Sequence, residues 1–457
     1  MFRVGYSVVW VYVGIVTLIV VLSGCQSLAR YEVALNEVSD AVQAGQLDDA
    51  LSLHESRHAS AKELLYFLEA GELYWLKGDH GQALKLWRAA DQLVQDWEQL
   101  ARLDATLITQ DIGSVLINDK VRSYQGHDFE KVMLTTRIAL TYLMMGDVDS
   151  ARVAIKATHE REAVIEGFRE QQALFLSQED GTKNARRIED LNWYPIEVID
   201  VPELSSLRNS YQNAFSHYLA GFIYEQLNEP SLSAPGYRKA IELRSNHSVL
   251  DAGLMGLEER LKRPANDGYT DLLVVFEEGL SPVKTSIEIT ELITHNDSTM
   301  YVPFSLPVYG ARSELPQPRV AAADSIIEFS SDIVDIDLMS RRSLKDEMPS
   351  IIARGVLRSG LKVAMQIAAD ELDESGVVGD LVALASIAAE SADDRSWRLL
   401  PGRIGLGRVH MQRGTHHIEL QSGSSSWSMD VVVDGKYMLL FVRRVGARWY
   451  VKQVSFN

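Results

Sequence analysis

A chain of 457 residues, 46% hydrophobic and 24% charged, has the composition of globular material and enough length for two to three domains, each with its own core. The formal net charge of −18 excludes binding of nucleic acid or anionic lipid through bulk charge. The single cysteine, Cys25, leaves neither a disulfide pair nor a cysteine-based zinc site.

Arg3 is the only charge before Gln26, and Val8 to Leu22 is apolar except for Gly14 and Thr17. A basic start followed by an apolar run of this length reads as a secretory signal, because a membrane span needs about 20 apolar residues. The run ends in Leu22-Ser23-Gly24-Cys25, which resembles the lipobox of bacterial lipoproteins. That resemblance implies a signal peptide over residues 1–24, cleavage before Cys25, and acylation of Cys25 as the first mature residue. Several acyl chains on one residue meet the requirement for stable anchoring. Gln26 is not the aspartate that retains such lipoproteins in the inner membrane, so the expected location is the periplasmic face of the outer membrane.

An internal repeat comes next. Gly45, Gly78 and Gly146 are each followed by alanine five residues on, at Ala50, Ala83 and Ala151. The glycines lie 33 and then 68 residues apart, one and then two periods of about 34 residues, the tetratricopeptide spacing. In the best copy Gly71, Tyr74, Gly78, Ala83, Trp87 and Ala90 fall on a helix-turn-helix pattern, with Gly78 closing the first helix in a left-handed conformation. A later copy has Gly221, Tyr224, Tyr237 and Ala240, with Asn228 in place of the turn glycine and Pro230 and Pro235 expected to delay its second helix. Residues 25–265 are therefore expected to form an all-α tetratricopeptide-like solenoid, broken by an insertion near 172–206. Trp193 and Tyr194 in that insertion are the candidate partner-binding residues, since these residue types dominate interface hot spots.

Breaker residues from Arg263 to Gly268 end the helical pattern. Strand-like runs follow, then helical blocks at Ser343 to Leu372 and Val377 to Ala389, then further strands to the end of the chain. Residues 270–457 thus read as a β-rich domain with an inserted helical pair near 343–390, and the whole as α+β.

Three segments carry a closer resemblance: Tyr124 to Glu130, Phe276 to Lys284, and Ala392 to Trp397 with Leu399-Leu400-Pro401. They are similar to an uncharacterised family of Gram-negative tetratricopeptide lipoproteins, often encoded beside lipoprotein activators of penicillin-binding proteins. Ser281 stands where that family's pattern leads us to expect alanine. The resemblance implies a cell-envelope role and supplies no catalytic residue.

Chemistry elsewhere is fragmentary. His410, His416 and His417 lack an acidic ligand at fixed spacing, and adjacent strand residues face opposite ways. Glu277 and Glu278 are paired carboxylates without a nucleophile or second acid, and no serine elbow or phosphate loop appears. Arg354, Arg358 and Lys362 form a basic stripe that reads as the solvated face of an amphipathic helix. The expectation is a non-enzymatic lipoprotein without metal or cofactor: an adaptor in envelope biogenesis that holds the membrane by its lipid and an envelope protein by its repeats. A hydrolase of cell-wall material in the second half, or a subunit of an export or surface-assembly machine, are the alternatives.

Overall fold

The structure, a computed structural model, describes residues 36–57, 62–103, 123–179, 194–295, 298–322, 325–372 and 392–457. It is a mixed α+β chain, with helices through the first part and sheets through the last. A helix at 36–44, α1, is followed by α2 (Leu47–Arg57), α3 (Leu64–Lys77), α4 (His80–Leu103), α5 (Asp128–Met144) and α6 (Val148–Glu179). After two short 3-10 turns come α7 (Ala214–Gln226), α8 (Pro230–Leu243), α9 (Ser248–Met255) and α10 (Leu257–Lys262).

One turn device recurs between paired helices. Gly78 closes α3 at φ 89°, and Asp79 then accepts the backbone N–H of Gln82 at 3.0 Å to start α4. Gly146, at φ 79°, and Asp147, which accepts from Ser150 N–H at 2.9 Å, do the same between α5 and α6. Only a left-handed residue lets the chain leave one helix and enter the next so tightly, and only a short acceptor side chain satisfies the new helix's first donors. Between α7 and α8 the left-handed position is Asn228, at φ 56°. Pro230 opens α8 at its first turn, but Pro235 lies inside that helix rather than delaying it. Helix α6 also runs on to Glu179, so the break expected near residue 172 begins later.

The paired helices touch where glycine allows. Gly71 of α3 faces Trp87 of α4, whose indole N–H donates to Leu68 O at 3.2 Å. A Cβ on Gly236 of α8 would lie 2.8 Å from the backbone nitrogen of Gly221 and 2.9 Å from the carbonyl of His217 in α7. Backbone cannot rotate away as a side chain can, so Gly236→Ala should separate the two helices. We expect an overpacking loss of about 3 kcal/mol, read as a lowered urea midpoint at unchanged slope.

Strands β1 (Tyr269–Glu278), β2 (Lys284–His295), β3 (Ser298–Tyr309), β4 (Pro318–Ala322), β5 (Ser325–Ile326) and β6 (Phe329–Asp335) precede the long helix α11 (Ile336–Leu372). Strands β7 (Arg403–Gln412), β8 (Gly414–Ser422), β9 (Ser425–Val433), β10 (Tyr437–Val445) and β11 (Arg448–Phe456) follow it. They form a five-stranded sheet in the order β11-β10-β1-β7-β6, a four-stranded sheet β5-β4-β8-β9, and the hairpin β2-β3. Strand β1 lies at the centre, parallel to β10 and antiparallel to β7. Of the helical pair expected near 343–390, α11 is one long helix with Pro349 inside it, and 373–391 lies outside the described residues.

Period-two alternation sorts the buried residues of β1 onto two faces. Leu272, Val274 and Phe276 pack against Ile418 and Leu420 of the four-stranded sheet. Leu273 and Val275 point the other way, into a core shared with the helices. Aromatic contacts cross that junction: Trp75 of α3 meets Phe441 of β10 edge-on at 5.2 Å, and Phe222 of α7 meets Tyr437 at 6.0 Å. The result is three layers, helices on sheet on sheet, in which the helices and the five-stranded sheet share one hydrophobic core and the two sheets enclose another. A set of fully buried charges joins the same layers. Arg137 of α5 bonds Glu72 of α3 at 2.7 Å and Glu277 of β1 at 2.5 and 2.8 Å, while Arg443 of β10 closes on Glu277 at 2.8 Å.

Candidate functional site

The segments that the sequence presents as three separate stretches meet at one place. Tyr124 to Glu130 enters α5, Lys284 begins β2, and Ala392 to Trp397 leads towards β7; together with α6 and α11 they surround a cavity of about 200 Å³. Glu130, 1% exposed, ties two of them together by accepting from the Tyr124 hydroxyl and, at 2.6 Å, from Trp397 N–H. It also accepts from His127 N–H at 2.9 Å, closing the start of α5. Burial first, and then Glu130, push the Tyr124 hydroxyl well above its ordinary pKa, so it serves as a donor.

The wall of the cavity is cationic in a chain that is strongly acidic overall. Among the described residues lining it are Lys131, Arg169, Lys284, Arg354 and Arg395, against the carboxylates Asp128, Glu347 and Asp393. Five full cations face three anions, and the anions are already engaged. Arg169 of α6 bonds Asp128 at 2.6 Å and Glu347 of α11 at 3.0 Å, and Gln172 donates to Ser350 at 2.8 Å, so α6 and α11 are clamped across the opening. Asp393 is gripped by Arg395 at 2.8 and 2.9 Å. Burial would raise both Glu347 and Asp393, but their cationic neighbours outweigh it, holding Glu347 well below the usual carboxylate range and Asp393 at about 2. Lys131 lies 3.6 Å from Asp128 and 4.6 Å over the Trp97 ring, which meets Phe168 edge-on at 5.6 Å. Those two rings give the cavity an apolar side.

Lys284 is 4% exposed, and among the described residues no carboxylate oxygen lies within 4.0 Å of its ammonium, which sits 2.8 Å from Nε2 of His127. The other ring nitrogen of His127, Nδ1, lies 3.5 Å from a Glu347 oxygen.

The residues singled out from the sequence fare differently. Cys25 and Trp193 lie outside the described residues. Tyr194, expected to present its ring to a partner, is instead 5% exposed in a cluster with Leu306, Leu344 and Ile351, and its hydroxyl donates to Pro307 O at 2.8 Å. Its apolar ring is used as core, and it braces Pro307, Leu344 and Ile351 from behind where they line the cavity. Glu277 and Glu278, adjacent in sequence, point to opposite faces of the sheet: Glu277 to the two buried arginines, Glu278 to Ser422 at 2.8 Å and Arg444. The histidines are apart as well. His410 stacks on Tyr269 at 4.8 Å, His416 bonds Gln412 O at 2.7 Å, and His417 pairs with Asp430 at 2.9 Å. Arg354, read as part of a solvated stripe, lines the cavity. The side chains of Arg358 and Lys362 are not among those described. Sequence reasoning passed over Lys131, Arg169 and Glu347, whose spacing of up to 216 residues carries no local signal.

Among the described residues no helix is long and apolar enough to cross a membrane, and no three of His, Cys, Asp and Glu converge as metal ligands would. No protein-family model, curated protein or solved structure matches this chain.

Proposed function

We propose that this chain is a lipoprotein anchored through Cys25 to the periplasmic face of the outer membrane, where it acts as a non-enzymatic binding scaffold in envelope biogenesis. The lipobox-like Leu22 to Cys25 supports the anchor. The recurring left-handed Gly78 and Gly146 turns, each followed by a capping aspartate, support a tetratricopeptide-like descent for the helical part. The observation that carries the binding reading is the cavity where three separate stretches converge, walled by cations and two aromatic rings. The helices turn much of their inner surface onto the chain's own sheet. The partner surface therefore moves from the concave face of the repeats to the rim of this cavity, beside α6 and α11.

Labelling cells with a palmitate analogue tests the anchor. Label is expected on the wild-type chain in the outer-membrane fraction and absent from Cys25→Ser. A wild-type chain that carries no acyl mass, or that sediments with the inner membrane, would remove the anchor from this reading. Crosslinking in intact cells through a photoreactive residue at Gln125, on the cavity wall, is expected to trap a defined envelope partner; a chain that crosslinks only to itself would favour self-assembly instead.

A further inference from the structure

We infer that the outer edge of β9 is a pairing surface for a second copy of this chain, joined strand to strand about a two-fold axis through Met429. Natural sheets blunt an exposed edge with lysine, proline, a bulge, shortness or a cover, because unpaired backbone groups there template further pairing. The other outer strands carry such devices. In β11, Arg448 donates to Ala44 O at 3.1 Å and Lys452 to Trp75 O, which holds that edge against the helices. The register of β6 is broken between Ser330 and Val334, and Arg244 reaches over to Asp332 O at 2.7 Å. Strand β5 is two residues long. In the separate hairpin, β3 holds Pro303 and Pro307, and β2 holds Lys284, Glu288 and Glu291. Among the described residues β9 has none of these: its nine residues, Ser425 to Val433, keep unbroken register with β8 and include neither lysine, arginine nor proline.

The turn into β9 decides which groups face outward. Ser422 and Ser425 close a two-residue turn that contains Gly423 at φ 59°. Such a closing pair exchanges both of its hydrogen bonds, and the ladder alternates from there. Ser425, Trp427, Met429, Val431 and Val433 thus bond to β8, while Ser426, Ser428, Asp430 and Val432 aim N–H and C=O away from it. Among the described residues no other backbone group bonds to them. Their side chains stand on the exposed face, Val432 at 57% exposure, whereas Val431, Val433 and Trp427 pack between the sheets. Laid antiparallel on itself about Met429, β9 sets Ser426 opposite Val432 and Ser428 opposite Asp430, and every outward donor meets an acceptor. An axis through Asp430 would bring its carboxylate against its own copy, a destabilising pair, and one through Ser428 would run Val432 into the turn. The strand is therefore self-complementary in one register, which commits the edge to a second copy.

The pairing needs neither the lipid anchor nor the cavity, so it can fail while they stand. Sedimentation velocity of the full chain in density-matched detergent is expected to show a dimer that dissociates on dilution. Ser428→Asp sets like charges opposite each other on both sides of the axis and should weaken the dimer about tenfold, whereas Ser428→Lys, facing Asp430 of the second copy, should hold or tighten it. Both changes fall on an exposed side chain and should leave the melting temperature unchanged. The register is read with single cysteines and an ethylene-bridged bismaleimide, the wild-type chain with its lone Cys25 serving as the blank. Diagonal neighbours lie about 7–8 Å apart, so Ser428→Cys and Asp430→Cys should each crosslink to their own copies. Ser426→Cys and Val432→Cys would lie about 20 Å from theirs at the rise of a strand, and should not. Three results would overturn the pairing: a monomer at every concentration, which would leave the edge to an extended segment of another protein; a dimer that Ser428→Asp leaves untouched or that Ser428→Lys weakens equally; or crosslinks at residues 426 and 432 in place of 428 and 430.

Discussion

Replacing Arg137 with methionine should lower the unfolding free energy by about 3–5 kcal/mol, the loss found when one partner of a buried ion pair is removed. Arg137 is 1% exposed and Glu72 and Glu277 are 0% exposed, so no water stands ready to replace the guanidinium. The two carboxylates would not suffer equally. Glu277 keeps Arg443 at 2.8 Å, whereas Glu72 has no other cation in bonding range among the described residues and is left as a buried charge without a bonded partner. Burial already raises the Glu72 pKa despite Arg137, and without Arg137 it must rise further. A carboxyl whose folded pKa lies above its unfolded value contributes stability below the unfolded pKa and loses it as pH rises through the folded one. The deficit in urea unfolding should therefore be smaller at pH 5 than at pH 8. Adding Glu72→Gln to Arg137→Met should recover part of the loss, because the orphaned charge disappears. A deficit under 1 kcal/mol that ignores pH would mean that water enters and the network does not hold the layers together.

The same network shows which parts of this structure a sequence can reveal. Gly78 and Gly146 are legible because a tight turn between helices demands one backbone conformation, and few residues adopt it. The central strand is legible because Leu272 to Phe276 is buried on both faces and reads as an unbroken apolar run. Which face Glu277 takes follows from alternation once the strand is placed, but its partner Arg137 lies 140 residues away, and neither residue has a local pattern that names the other. The breakers at residues 263–268 lie where the backbone period changes, between the end of α10 at Lys262 and the start of β1 at Tyr269. That change says nothing about packing: the apolar sides of α3, α5 and α7 meet the sheet itself, and one core spans both compositions. Tyr194 illustrates the same limit. An aromatic ring in a polar insertion suits an interface or a core equally well, and only the cluster around Leu306 and Leu344 decides for the core.

The cavity was hidden for a related reason. Its carboxylates and cations come from five stretches, and each alone looks like an ordinary solvated charge. Arg395 beside Asp393 resembles a local lock on a connection, and the pair does bond at 2.8 Å. The connection is held more firmly elsewhere, by three consecutive backbone N–H groups that donate to carboxylates of the helical layer. Trp397 N–H reaches Glu130 at 2.6 Å, and Arg398 and Leu399 N–H reach the two oxygens of Glu69 at 2.6 and 3.1 Å. Since Asp393 and Arg395 sit immediately before this clasp, the clasp fixes one side of the cavity.

Glu69→Gln should accordingly loosen that wall at a cost of about 1–3 kcal/mol for the lost acceptor. The amide keeps one oxygen for Arg398 or Leu399 but turns an NH2 donor towards the other N–H, two donors face to face in a site that is 0% exposed. The wild-type group adds a pH dependence that the variant lacks. Burial, only partly offset by the two backbone N–H groups, raises the Glu69 pKa from 4.5 to about 8. In the unfolded chain the carboxyl ionises near its ordinary value, so between those two values the folded state holds the extra proton. The stability contributed by Glu69 is thus complete below about pH 4.5 and drains away as pH rises towards 8. At about 1.4 kcal/mol per pH unit, the wild-type advantage over Glu69→Gln should shrink by up to roughly 4 kcal/mol between pH 5 and pH 8, enough for the two unfolding curves to meet or cross. Urea titrations of both chains at half-unit pH steps read this directly. An advantage that stays constant across the range would show that the Arg398 and Leu399 N–H groups keep Glu69 ionised throughout, and that the clasp is a charged one at every pH at which the protein works.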